Sequence, residues 1–247
     1  MKEFTTSNNN ESNALNKVLG ASLQLPGSRV DRETFLRKEL SKYCKEEEIN
    51  MAISTTPKEA NIPKEYINKI AKSCIELNTT KVAAISFATG LPGGWWMAAA
   101  IPADLAQFYH YIIVVAQKLA YLYGWPNLFD DDNEIDDETL LRLTLFIGVM
   151  MGSAQASNAI TTISKKIAEQ ALRKLPSRAL TKSGLYKIAT QVAKWIGVRL
   201  TKSTFAKGVS KAVPIIGGVV SGSMSYVSFK IMANKLKKHL ETLPLAN

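Results

Sequence analysis

Apolar residues recur every three or four positions over much of the chain, which is the spacing of one face of an α-helix. The pattern predicts a helix that begins after Asp31 and continues to Tyr43, followed by a loop that ends near Pro63. Proline suits the first turn of a helix, so a second helix is predicted from Pro63. Its apolar face consists of Tyr66, Ile67, Ile70, Ala71, Cys74 and Ile75.

Charged residues are then missing from a 22-residue run, Val82 to Ala103, which is long enough to span a bilayer. Pro92 and Pro102 argue against one continuous helix, because proline removes a backbone hydrogen-bond donor. Two short helices that meet at a corner, Leu91–Gly94, are predicted instead, and the tryptophan pair after the corner is interpreted as a contact with a partner. The corner and the pair comprise Gly90, Pro92, Gly93, Gly94, Trp95 and Trp96.

A long helix is predicted from Pro102 to about Tyr123, where Gly124 and Pro126 end it. An acidic loop follows, and the next helix is predicted to begin near Thr139 and to continue through a second uncharged segment. That segment and the remaining predicted helices cover Leu143–Ser164, Leu185–Leu200, Thr204–Val213 and Pro214 to about Leu240.

No run of alternating polar and apolar residues is long enough to predict a strand. The sequence therefore predicts an all-α fold, a compact multi-helix bundle with glycine-rich helical hairpins, over residues 30–247. Residues 1–29 are rich in Asn and Ser near their start and are predicted to form a flexible tail.

Glycines four residues apart occur in three uncharged segments. They are Gly90 with Gly94, Gly148 with Gly152, and Gly218 with Gly222. The first pair is interpreted as a turn because Pro92 lies between its members. Positions i and i+4 share a helix face, so Gly148, Gly152 and Ala156 are predicted to form a smooth groove for a neighbouring helix. We interpret this groove as tight packing inside a soluble bundle, with membrane insertion of the hairpins as the alternative.

Polar residues follow one side of the long helix. The simplest interpretation is a solvated face, with Asp104 in the first turn at the positive end of the helix dipole. The alternative is that Asp104 anchors a buried polar cluster or a ligand together with Gln107 and His110. The residues of this polar side are Gln107, His110, Tyr111, Gln117, Lys118 and Tyr121.

Motifs that carry chemistry are absent from the sequence. The only histidines, His110 and His239, have no zinc-ligand spacing, and the glycines form neither a phosphate loop nor a dinucleotide fingerprint. The acidic loop begins like a calcium loop, but Ile135 replaces the required glycine and Leu141 the final glutamate. The sequence therefore predicts no enzyme, no metal site and no cofactor.

The net charge of +10 is distributed unevenly. Residues 165–247 carry 16 Lys and Arg against two acidic residues, Glu169 and Glu241, for a formal charge of +14. A basic amphipathic helix around Trp195 suits an anionic membrane surface, with a simple solvated basic face as the plainer interpretation. Nucleic acid is disfavoured because no helix-turn-helix pattern or RNA-binding aromatic motif occurs. The candidate contact residues are Lys187, Lys194, Trp195, Arg199 and Lys202.

Several linked motifs resemble the EcsC family of bacterial proteins. They are T-G-L-P-G-G, I-P-A-D-L and A-Y-L-Y-G within Thr89–Gly124, and the glycine-rich ending from Lys211 to Tyr226. The resemblance covers most of the chain from about residue 65 onwards. It implies a small helical protein that associates with the membrane or serves a membrane system, and it supplies no catalytic residues.

These observations predict a non-enzymatic protein that acts at the inner face of the bacterial cell membrane. Cys44 and Cys74 form no disulfide framework, and the N-terminus has no apolar core of a secretory signal, so a cytoplasmic location is expected. The expected partner is an anionic membrane surface or a membrane protein, and the role is that of an accessory to a transport system or of a membrane-perturbing effector. The alternatives are a soluble protein–protein interaction module and a hydrolase that uses Asp104 and His110. The oligomeric state is left open.

Overall fold

A computed structural model describes residues 15–89, 103–129, 137–169, 184–200 and 219–247. Within these ranges every regular element is an α-helix and no strand occurs, so the predicted all-α bundle is confirmed there. The helices are α1 (15–23), α2 (Arg32–Leu40), α3 (Glu46–Ser54), α4 (Lys64–Thr89), α5 (Ala103–Leu122), α6 (Asp137–Met151), α7 (Ala154–Glu169), α8 (Gly184–Leu200) and α9 (Val219–Leu240).

Helix α1 lies inside the segment predicted as a flexible tail, and that prediction is wrong for residues 15–23. Leu15, Val18, Leu19 and Leu23 recur at helical spacing, and each is at most 4% exposed. The burial of four large apolar side chains offsets the conformational entropy lost when this short segment is ordered. The folded bundle therefore begins before residue 30.

Helix α5 occupies the middle of the bundle and packs against α2, α4, α6 and α9. Apolar side chains surround most of its circumference, which is the pattern of a helix that is buried on all sides. Its fully buried residues include Ile112, Ile113, Val115, Ala116, Leu119 and Ala120.

Helices α4 and α9 pack against each other over much of their length. They run antiparallel, because Lys64 at the start of α4 contacts Asn247 beyond the end of α9, whereas Glu76 contacts Lys230 farther along. Helix α4 has 26 residues and continues through Thr89. The first part of the uncharged run after Lys81 therefore extends this helix and does not form a separate one.

Two glycines with positive φ end the central helices. At the end of α5, Gly124 has a φ of +86° and donates to the Tyr121 carbonyl, while the next amide, that of Trp125, donates to Ala120. This pair of bonds is a Schellman motif, which satisfies carbonyl groups that the helix leaves unpaired. The predicted end of the long helix at Gly124 is confirmed.

The second Schellman motif ends α6 and corrects a predicted helix. Gly152 has a φ of +88° and donates to the Val149 carbonyl, and the amide of Ser153 donates to the Gly148 carbonyl. The segment predicted as one helix after Thr139 is therefore two helices, α6 and α7, joined by a tight turn. A glycine in the left-handed region avoids the steric cost that a side chain would meet there.

Helix α3 was not predicted, because its nine residues begin with three glutamates and leave only a short apolar face, Ile49, Ala52 and Ile53. Two side chains define its ends. The Glu48 carboxylate accepts the backbone N–H of Lys45, at 2.7 Å, at the start. At the other end the Arg32 guanidinium donates to the Ile53 carbonyl at 2.6 Å and to the Thr55 carbonyl at 3.1 Å.

Several predicted features lie outside the described residues. They include the glycine-rich corner with Trp95 and Trp96, the predicted helix Thr204–Val213 and the start of the last helix at Pro214. The helix predicted at Leu185–Leu200 is confirmed as α8. No helix in the described part of the chain is both long enough and apolar enough to cross a bilayer.

Candidate functional site

Half of the residues on the polar side of α5 are buried, so its interpretation as a solvated face is wrong for His110, Gln117 and Tyr121. His110 is 8% exposed, and Gln117 and Tyr121 are fully buried. The cover comes from α1 and from the turn that follows it. Ser22 of α1 donates from its hydroxyl to the Ala106 carbonyl of α5 at 2.8 Å.

Gln117 fastens this cover to α5. Its side-chain amide donates to the Ser28 carbonyl at 2.7 Å, and its side-chain oxygen accepts the backbone N–H of Val30 at 2.8 Å. A buried backbone group without a partner costs free energy, so a glutamine that serves two of them stabilises the turn. The role of Gln117 is therefore structural.

His110 of α5 lies against α1. Its ring packs edge-on against Tyr111, with ring centroids 4.9 Å apart, and its hydrogen-bond partner is the Ser22 carbonyl of α1. Burial lowers the pKa of His110, and the nearby Lys81 ammonium of α4 lowers it further, while the bond to Ser22 opposes both effects. The ring is therefore neutral near pH 7, and its Nδ1 atom has no partner among the described residues.

The predicted cluster of Asp104, Gln107 and His110 is only partly described. Asp104 is the second residue of α5, as its proposed place near the positive end of the helix requires, but its side chain lies outside the described residues. Gln107 is half-buried. No described carboxylate faces His110, so the hydrolase hypothesis gains no support and stays a prediction.

The cysteines are not arranged for nucleophilic chemistry. Burial raises the pKa of the Cys74 thiol to about 11 and also raises the pKa of Cys44. A reactive cysteine requires the opposite shift, because the thiolate is the nucleophile. Among the residues with described positions, no three His, Cys, Asp or Glu side chains group closely enough to hold a metal ion.

The small residues at four-residue spacing are packing positions, but they do not lie on one helix. Gly148 is in α6, Gly152 forms the turn, and Ala156 is in α7. A Cβ atom on Gly148 would lie 2.6 Å from the Ala156 Cβ and 2.6 Å from a methyl carbon of Val192 in α8. The glycine therefore allows α6 to approach α7 and α8 closely. Gly222 belongs to α9, and Gly218 lies outside the described residues.

Helix α8 uses its apolar face within the bundle. Val192 and Ile196 are fully buried, and α8 packs against α6 and α7. Lys187 is exposed, and Lys194 and Trp195 are half-buried. Insertion of this face into lipid would require α8 to leave the bundle, so the folded protein presents only the outer side of α8, where Tyr186 is 50% exposed beside Lys187. The side chain of Arg199 and all of Lys202 lie outside the described residues.

Exposed lysines are spread over the last three described helices. Lys165 and Lys166 of α7 and Lys235 and Lys238 of α9 are exposed, in addition to Lys187 of α8. Two lysines of α9 have anionic partners. Lys237 is 2.8 Å from Glu241, and Lys230 is 2.7 Å from Glu76 of α4.

Sequence reasoning missed one feature of this surface. Leu77 of α4 and Val227 and Ile231 of α9 are large apolar side chains that are about half exposed. A signal was present in the sequence, because Val227 and Ile231 are four residues apart on a helix face other than the buried face of Phe229, Ala233 and Leu236.

Comparison of the chain with models of protein families, with curated protein sequences and with solved structures finds no match. The functional argument therefore depends on the residues themselves.

Proposed function

We propose that this chain is a non-enzymatic helical protein that binds the anionic inner surface of the bacterial cell membrane as a peripheral protein. The observation that carries the proposal is the charge of its last third, which is +14 over residues 165–247. The lysines described there on α7, α8 and α9 are mostly exposed. Basic side chains near an anionic bilayer are each attracted by about 1 kcal/mol.

The proposed binding is electrostatic docking of a folded bundle. The buried face of α8, which includes Val192 and Ile196, is already packed, so the folded protein meets lipid through side chains that the bundle leaves exposed, its lysines among them. The resemblance to the EcsC family supports the same role, because that family is linked with membrane systems. Service to a membrane transport system is the cellular role that we propose.

Vesicle flotation tests the proposal. We expect the protein to float with vesicles that contain phosphatidylglycerol, to float poorly with pure phosphatidylcholine, and to be released by added salt, because salt screens charges at a surface. Equal binding to both kinds of vesicle would contradict the electrostatic mechanism. Failure to bind either kind at low salt would overturn the proposal and favour a protein partner.

A charge-matched pair of variants locates the binding charge. Lys235→Gln with Lys238→Gln removes two exposed positive charges from α9 and is expected to weaken binding about tenfold or more. Lys17→Gln with Lys38→Gln removes the same charge from residues 1–164, which carry 15 basic and 19 acidic residues, and is the control. If both pairs weaken binding equally, only the net charge matters and the basic third has no special role.

A further inference from the structure

One outer face is shared by α4 and α9. Glu76 of α4 forms an ion pair with Lys230 of α9, at 2.7 Å, and accepts a hydrogen bond from the Tyr226 hydroxyl. Tyr226 and Lys230 are four residues apart and therefore lie above one another on α9. The three side chains lie over the groove between the two helices, and those of Glu76 and Lys230 remain 50% and 40% exposed.

The residues that follow these groove residues all turn outward. Leu77 follows Glu76, Val227 follows Tyr226, and Ile231 follows Lys230. Each step to the next residue turns the side chain by about 100° around the helix axis. In two antiparallel helices this step moves the side chains of both helices toward the same side of the pair. Their exposed fractions are 54% for Leu77, 50% for Val227 and 52% for Ile231, which agrees with this placement.

Positive charge continues from the apolar residues along α9. Lys235 lies one turn beyond Ile231 at the next i+4 position, and Lys238 follows nearby. Both lysines are exposed, and α9 contains no acidic residue over its whole length. On the α4 side, the carboxylate of Glu76 is matched by Lys230, whose bond lowers the pKa of Glu76 together with the bond from Tyr226.

We propose that this face, defined by Leu77, Val227, Ile231, Lys235 and Lys238, is the surface that docks on anionic phospholipid. The inference rests on the proposed function and specifies which side of the bundle meets the bilayer. Half-exposed aliphatic side chains enter the boundary between headgroups and acyl chains, while adjacent lysines reach the phosphates. Tyr226 is partly buried and has an apolar ring with a polar hydroxyl. Side chains of this kind favour the same boundary.

Substitution of the two aliphatic residues on α9 tests the assignment. Val227→Ser with Ile231→Ser removes apolar contact without changing charge, and binding to phosphatidylglycerol vesicles is expected to weaken about tenfold. Met51→Ser on α3 is the matched control, because Met51 is 47% exposed on another helix, and it should bind as the unchanged protein does. Thermal unfolding of each variant verifies that the bundle is intact.

The outcomes separate this inference from the proposed function. If the unchanged protein binds no vesicle, the proposed function fails, and this inference fails with it. If the unchanged protein binds and the double variant binds equally well, the assigned face alone is overturned. If the double variant keeps full vesicle binding but loses a dimer that the unchanged protein forms in gel filtration, the face is a contact between two copies, and the lipid assignment is wrong.

Discussion

At the scale of single residues, Gly148 leaves no room for a side chain. Its missing side chain leaves space that Ala156 and Val192 occupy from two neighbouring helices. Small residues at this spacing are a local signal, so the sequence predicted Gly148 and Ala156 as packing positions. The turn at Gly152 between them was not predicted, because a helical glycine and a glycine with positive φ look the same in an apolar sequence.

Gly148→Ala is expected to destabilise the protein by about 1–2 kcal/mol. The added methyl group would overlap both neighbours, and this overpacking outweighs the better helix propensity of alanine. The free energy of unfolding, from urea titration followed by circular dichroism, measures the effect.

Gly20→Ala provides the control for that substitution. Gly20 lies inside α1, and a Cβ atom there would meet nothing within 4 Å, so helix propensity acts alone and stability should rise by up to about 1 kcal/mol. Equal changes in the two variants would show that α6 does not approach α7 and α8 as closely as described.

At the scale of elements, α1 is a helix that the local sequence did not predict. Its helical spacing is short and follows an Asn-rich start, so composition indicated a tail. Its partners lie far away in the sequence, since Ser22 bonds to Ala106 and the turn after α1 is held by Gln117. The same long-range contacts explain why the polar side of α5 was interpreted as solvated. The helix end at Gly124 was predictable because Pro126 follows it and cannot continue a helix, a signal that Gly152 lacks.

Leu19→Ala is expected to destabilise the whole bundle by about 2–4 kcal/mol, because Leu19 is fully buried and its truncation leaves a cavity. Leu77→Ala makes the same chemical change at a side chain that is 54% exposed, and its effect should stay within about 0.5 kcal/mol. Urea unfolding compares the two. A flexible tail would instead tolerate Leu19→Ala as well as Leu77→Ala.

At the scale of the whole molecule, both histidines hold helices together in their neutral form. His110 lies beneath α1, and His239 of α9 bonds to the Ser157 carbonyl of α7 at 3.1 Å. Burial is the main cause that lowers the pKa of each ring below its ordinary value of 6.5. The sequence supplied both residues but not their burial, which depends on how the helices pack.

Stability should therefore fall as the pH decreases from above to below 6.5. In that range the unfolded chain binds protons at both histidines more readily than the folded protein does, and proton binding thus favours unfolding. Urea titrations on either side of this pH measure the change. In His110→Gln with His239→Gln the slope over this range should be lost, and an unchanged slope would assign it to other groups.

The packing of α1 against α5 also has a consequence for synthesis of the chain. Ser22 leaves the ribosome 84 residues before its partner Ala106. At about 5–20 residues per second, the leucines of α1 wait roughly 4 to 17 seconds for the helix that will cover them. Throughout that interval the apolar face of α1 is exposed on the nascent chain and can bind chaperones or a neighbouring bilayer.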